Sequence, residues 1–145
     1  MRTIKFRGKC VADSKYAGQW VYGGYSEPQE DCKQNEGLIT VYLGGSSTCK
    51  YHVIPNTVGQ FTGLHDKNGK EIYEGDIIRS FDSKGEPIIH YLLYDNEEAG
   101  FVVILKGSAK GDFGYVKCYQ QWITECEKEV IGNIHDNPEL LKTKS

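Results

Sequence analysis

Apolar residues alternate with polar ones along most of this chain, and they rarely recur at helical spacing. From Thr3 to Val11, Ile4, Phe6 and Cys10 fall on one side, and Thr3, Lys5, Arg7 and Lys9 on the other. "QWVYGGY" (Gln19 to Tyr25) predicts a short aromatic strand, and "LITVYLGG" and "KYHVI" predict two β-branched ones. Between them "SEPQEDCKQNEG" has no period and little to bury, so it predicts a polar loop. Pro55 lacks a backbone donor and belongs at a strand end or edge. "PNTVG" is then the best place for a boundary between an N-terminal unit (1–58) and a C-terminal one (59–145), which could also pack as a single body.

Beyond that boundary "GQFTGLHD" and "KEIYEGDIIRSF" flank Lys67-Asn68-Gly69, where Asn-Gly supplies positive φ angles for a hairpin. "PIIHYLLYD", "GFVVILK", "YVKCYQQWI" and "EKEVIGNI" predict four further strands, joined by turn-rich "NEEAG" and "GSAKGDFG". In "HDNPELLKTKS", Asn137 and Pro138 suit the start of a short terminal helical turn. Many short strands and one helical turn place the chain in the all-β class, as a sandwich or small barrels.

Composition narrows this picture without redirecting it. The 145 residues, 39% hydrophobic and 26% charged, match a globular protein able to bury a core. A net charge of −3 gives no electrostatic argument for nucleic acid or a membrane surface. The opening "MRTIKFRGKC" has basic residues but no apolar stretch, so no secretory leader is expected. Cys10, Cys32, Cys49, Cys118 and Cys126 are odd in number and lack a recurrent spacing. Reduced thiols in a cytoplasm are therefore expected rather than a disulfide framework.

Three blocks carry a resemblance. "IKFRGK", "GQFTGLHDKNGKEIYEGDIIR" and "EVIGNIHDNPELL" come in that order and span nearly the whole chain. They resemble the YopX family, small proteins encoded in bacteriophages and prophages. The resemblance implies a β-rich phage accessory protein whose C-terminal part is a small SH3-like barrel, and it brings no activity, cofactor or catalytic residue. His65 stands where the family more often has lysine or glutamate, and "NIHDNPEL" replaces something closer to "NIYENPEL". The stretch from Glu27 to Thr48 matches poorly.

The central run has a complete structural explanation. Asn68 and Gly69 turn the chain, Ile72 points inward, and Gly75 supplies a backbone angle other residues reach only at a cost. Asp76 can accept hydrogen bonds from N–H groups exposed by the bend. Turn chemistry thus accounts for each polar residue without a substrate.

Elsewhere the chemistry is sparse. Cys49-x-x-His52 has no matching second pair, and His65, His90 and His135 are scattered, so no metal site is expected. No nucleophile elbow, P-loop or dinucleotide fingerprint occurs. Cys10, Cys118 and Cys126 sit among apolar residues, where a free thiol is usually a small buried hydrophobe. Glu97–Glu98 and Glu125, Glu127 and Glu129 suit solvated turns and edges.

The first strand is the main electrostatic feature. Lys5, Arg7 and Lys9 share one side, and Trp20 and Tyr22, with Tyr25, could form an aromatic platform beside them. The blander alternative is a solvated edge strand with protective lysines. These residues are the candidate contacts for a partner.

The function expected is a non-enzymatic module that binds a host or phage protein, without cofactor or membrane. Nucleic-acid binding through the basic strand ranks second, and an enzyme on an unrecognised scaffold last. Open sheet edges also favour a homo-oligomer in which Lys5 and Arg7 meet Glu97 and Glu98 of another copy.

Overall fold

A computed structural model describes residues 1–27 and 36–142. Most of the polar stretch read as a loop, including Cys32, lies outside those residues. The chain divides into two compact units, Met1–Phe61 and Thr62–Ser145. The fold is all-β, with antiparallel pairing throughout the described strands.

In the first unit, β1 (Phe6–Lys9), β2 (Trp20–Ser26), β3 (Gly37–Gly44) and β4 (Ser47–Val53) lie in the order β4-β3-β2-β1. The start of β5 (Gly59–His65) pairs with the other side of β1. β1 is therefore an interior strand, not the solvated edge weighed above. This sheet curls: Cys10 bridges Val53, and the Ile54 N–H donates to the Lys9 carbonyl at 2.9 Å. The curl explains Gly8, where a Cβ would meet the Val53 side chain at 3.0 Å. Ile39 and Val53 are fully buried in this unit. Pro55 opens a 3-10 turn, Pro55–Thr57, directly after β4.

In the second unit β5 is followed by β6 (Glu71–Tyr73) and β7 (Asp76–Phe81). β8 (Pro87–Asp95), β9 (Gly100–Leu105), β10 (Tyr115–Lys117) and β11 (Glu129–Asn133) complete a sheet of order β10-β9-β8-β7-β11. β10 and β11 stand at opposite edges and do not pair, so the SH3-like barrel expected here is not closed. Its core gathers Ile72, Ile78, Leu92, Val103 and Ile123. Burying each such side chain contributes about 1.5–3 kcal/mol.

"YVKCYQQWI" does not run on as a strand. β10 stops at Lys117, and Gln120–Thr124 form a short helix, α1, which turns Ile123 and Trp122 onto the core. Apolar residues too few to establish a period, flanked by glutamines that favour helix, made the two readings indistinguishable in sequence. Cys126 is exposed with φ 58°, not a buried strand residue, because the chain leaves α1 through left-handed backbone at Cys126 and Glu127. The terminal helical turn is a 3-10 turn, Pro138–Leu141.

Candidate functional site

The basic strand is the first place to look for a partner site. Register places Arg7 opposite Tyr22 and Lys9 opposite Trp20, so all four side chains share one face of the β1–β2 pair. Arg7 is only 6% exposed, and its guanidinium lies 4.9 Å from the Trp20 ring centre. The Lys5 ammonium lies 5.3 Å from the Phe61 ring, and Lys9 is half-buried. The structure thus brings Arg7, Lys9, Trp20 and Tyr22 onto one face, where Arg7 is packed against Trp20 while Tyr22 stays 46% exposed. Ile4, expected on the inner side, is 59% exposed because β1 begins only at Phe6.

Cys49 and His52 lie three apart on β4, which sends their side chains to opposite faces. His52 pairs with Glu36 at 3.1 Å. Among the described residues no group of three or more His, Cys, Asp or Glu could hold a metal ion.

The central run is occupied by backbone. Gly69 has φ 78°, whereas Asn68 is not left-handed, so the turn needs one special residue instead of two. Asp66, which the sequence reading passed over, is the hub. Its Oδ1 accepts the Asn68 and Lys70 N–H groups and its Oδ2 accepts that of Val130, each at 2.9 Å. The signal was available: an aspartate two residues before Asn-Gly commonly accepts from the turn.

Asp76 is 1% exposed and its Oδ2 accepts the Tyr73 N–H at 2.8 Å. Gly75, at φ 91°, donates to the Leu92 carbonyl at 2.7 Å and accepts from the Ile134 N–H at 2.8 Å. The "GNIHDNP" block behaves likewise. Asn133 Oδ1 accepts the His135 and Asp136 N–H groups, and Asn137 Oδ1 accepts that of Asn133. A Cβ at Gly132 would fall 2.3 Å from Asn137 Oδ1, which is why glycine stands there. His65 is exposed and its carbonyl accepts from Gln120.

Two polar groups, His90 and Lys128, lie on the core side. His90 meets Trp122 edge-on at 4.9 Å, and burial, reinforced by Lys128, lowers its pKa to about 4. Lys128 is 6% exposed, lies 4.3 Å from the Trp122 ring centre and donates to the Glu125 carbonyl at 2.8 Å. On the opposite face, the Arg79 guanidinium contacts Glu129 and, with Lys67, keeps that carboxyl below the usual range.

Two clefts in the second unit combine polar and apolar walls. One, about 350 Å³, is bounded by His65, Lys67, Gln120 and Thr124. The other, about 380 Å³, lies on the sheet face at β8–β10, between the Asp95–Glu97 turn and Lys110 of the Lys106–Gly114 loop. There Leu93 stands opposite Val102 and Ile104 opposite Tyr115, giving an apolar floor. Asp95, Glu97 and Lys110 form its charged rim, the Lys110 ammonium 3.3 Å from Asp95 and in contact with Glu97. In sequence this loop read only as a glycine-rich hairpin connection.

The family model described as YopX protein matches residues 5–142. The chain belongs to the YopX family. Among solved structures, the crystal structure of protein EF1440 from Enterococcus faecalis is similar, with TM-score 0.54 and 21% identity over 98% of this chain and 100% of that one. At that identity the likeness concerns the fold alone. No curated protein matches this YopX-family chain. No helix among its described residues is long and apolar enough to cross a membrane.

Proposed function

We propose that this YopX-family protein is a non-enzymatic phage or prophage accessory module that binds another protein in the bacterial cytoplasm, without a cofactor. One observation carries the reading. Among the described residues the edge strand β10 pairs only with β9, and Val116 on it, with Phe113 and Tyr119 flanking it, are exposed by 38%, 102% and 52%. An unpaired edge beside large apolar side chains suits strand addition or apolar docking by a partner protein. The backbone duties of Asp66, Asp76 and Asn133 support the non-enzymatic part, since they leave these polar groups engaged in holding turns. Nucleic-acid binding through β1 is less well supported, because Arg7 is buried against Trp20.

The test is affinity capture of the tagged protein from bacterial lysate, with and without nuclease, alongside a Phe113→Ser/Tyr119→Ser variant. The reading expects a protein that survives nuclease and is lost with the variant. Capture that disappears with nuclease, and with Lys5→Glu/Arg7→Glu, would replace it with nucleic-acid binding. Capture of its own copies alone would make the edge a homo-oligomer contact.

A further inference from the structure

The Lys106–Gly114 loop does more than connect two strands. β9 runs Gly100–Leu105, so the loop starts about 17 Å from the β8–β9 turn at Asp95. Yet Lys110 reaches back to that turn, bonding Asp95 at 3.3 Å and contacting Glu97. The loop is therefore a strap laid along the sheet face, clasped at its tip by one ammonium between two carboxylates. Gly107 and Gly111, at φ 87° and 89°, bracket the clasp and give it backbone freedom.

The space beneath is about 380 Å³, within the range of about 300–1,000 Å³ common for ligand clefts. Asp95 is a prepared acceptor at its mouth. The N–H groups of Glu97 and Glu98 donate to it at 2.8 and 3.3 Å, and its side chain is only 9% exposed. Burial opposes its charge, but those two N–H groups and Lys110 outweigh it and hold its carboxyl below the usual range. Lys110 itself is half-exposed, so the cation is the exchangeable partner of the pair. Phe113 on the same strap is fully exposed.

We propose that this cleft takes a basic segment of a partner protein. An arginine or lysine replaces Lys110 between Asp95 and Glu97, while an adjacent apolar side chain settles against the half-buried Leu93 and Tyr115, beside the buried Val102 and Ile104. The site deepens the protein-binding reading and rests on it. Charge complementarity selects the occupant: the rim carries the carboxylates of Asp95 and Glu97 against the single ammonium of Lys110, while Lys117, opposite Val102 on the same face, is drawn to Glu98 at 3.9 Å. An acidic segment would meet like charge there.

The test is NMR titration of the full chain with N-acetyl-Phe-Arg-amide, against N-acetyl-Phe-Glu-amide. The arginine dipeptide is expected to shift amides of Asp95–Glu98 and of the strap, and the glutamate one to leave them unmoved. Lys110→Ala removes the internal competitor and is expected to bind several-fold tighter. Asp95→Asn keeps an oxygen for the turn and is expected to bind about tenfold more weakly, with an unchanged melting temperature. Equal shifts from both dipeptides, or no gain with Lys110→Ala, would overturn the proposal. If these fail while capture still depends on Phe113 and Tyr119, the cleft is wrong and protein binding stands; if both fail, both are wrong.

Discussion

The second unit holds two kinds of aspartate turn, one at Asp66 and Asp76 and the other at Asp95. At Asp66 both carboxylate oxygens accept backbone N–H groups, from the turn and from β11, and at Asp76 Oδ2 accepts the Tyr73 N–H of β6. At Asp95 one oxygen takes two backbone N–H groups, but the other faces Lys110, a half-exposed cation on the Lys106–Gly114 loop. The first arrangement fixes the fold, because every donor belongs to a strand or turn that cannot move alone. The second leaves an exchangeable contact at the mouth of a cleft. The conspicuous motif is thus structural, and the plain glycine-containing loop is where binding is expected.

The largest effect that sharpens this contrast is expected behind the motif. Ile72→Ala removes a fully buried side chain from the core cluster and should cost about 2–5 kcal/mol, read from the urea midpoint. A cost below 1 kcal/mol, roughly the size of a surface change, would show the hairpin to be loosely attached. Next comes Asp76→Ala. It strips the acceptor from the buried Tyr73 N–H and should cost about 1–3 kcal/mol without altering dipeptide binding at the cleft. Loss of that binding in a folded Asp76→Ala protein would erase the distinction between the two turns.

A smaller effect follows from His90, on the core side of β8. Its folded-state pKa is about 4 against an ordinary value of 6.5, so the fold favours the neutral ring. The unfolded chain binds the proton first as pH falls. The stability His90 contributes is therefore complete above pH 6.5 and is lost progressively toward pH 4. Urea midpoints measured from pH 7 to 4.5 should fall less steeply in His90→Phe than in the parent. Parallel curves would contradict the burial of that ring. Smallest of all, Lys110→Ala should leave the melting temperature nearly unchanged, since the Lys110 ammonium is half-exposed and such ion pairs are weak. A marked fall would make the clasp structural, like Asp66.

Strand positions were legible because alternation is strong where one face is buried: β8 was read from sequence with the bounds Pro87–Asp95 that it has. The turn at Gly69 and the bend at Gly75 were legible from residue chemistry. Closure of the barrel was not, because alternation sets which face is buried and says nothing of which edges meet. α1 was missed because two apolar residues in five carry no period. The burial of Arg7 in the basic stripe was not legible for a related reason. Alternation placed Arg7 and Lys9 on one face correctly, but it does not show that β1 is flanked by both β2 and β5 or that Trp20 packs over Arg7 and buries it. The cleft was invisible because Lys110 and Asp95 meet across a loop whose path leaves no local pattern.

The most direct test of the contrast is native-state hydrogen exchange, comparing the amides of Tyr73 and Val130 with those of Glu97 and Ala109. All four donate to an aspartate carboxylate. The account predicts that Tyr73 and Val130 exchange only with global unfolding, and that Glu97 and Ala109 exchange through local opening of the strap and its turn at much lower free energy. Equal protection at all four would contradict it, because the strap would then be as fixed as the motif and the cleft beneath it closed to a partner.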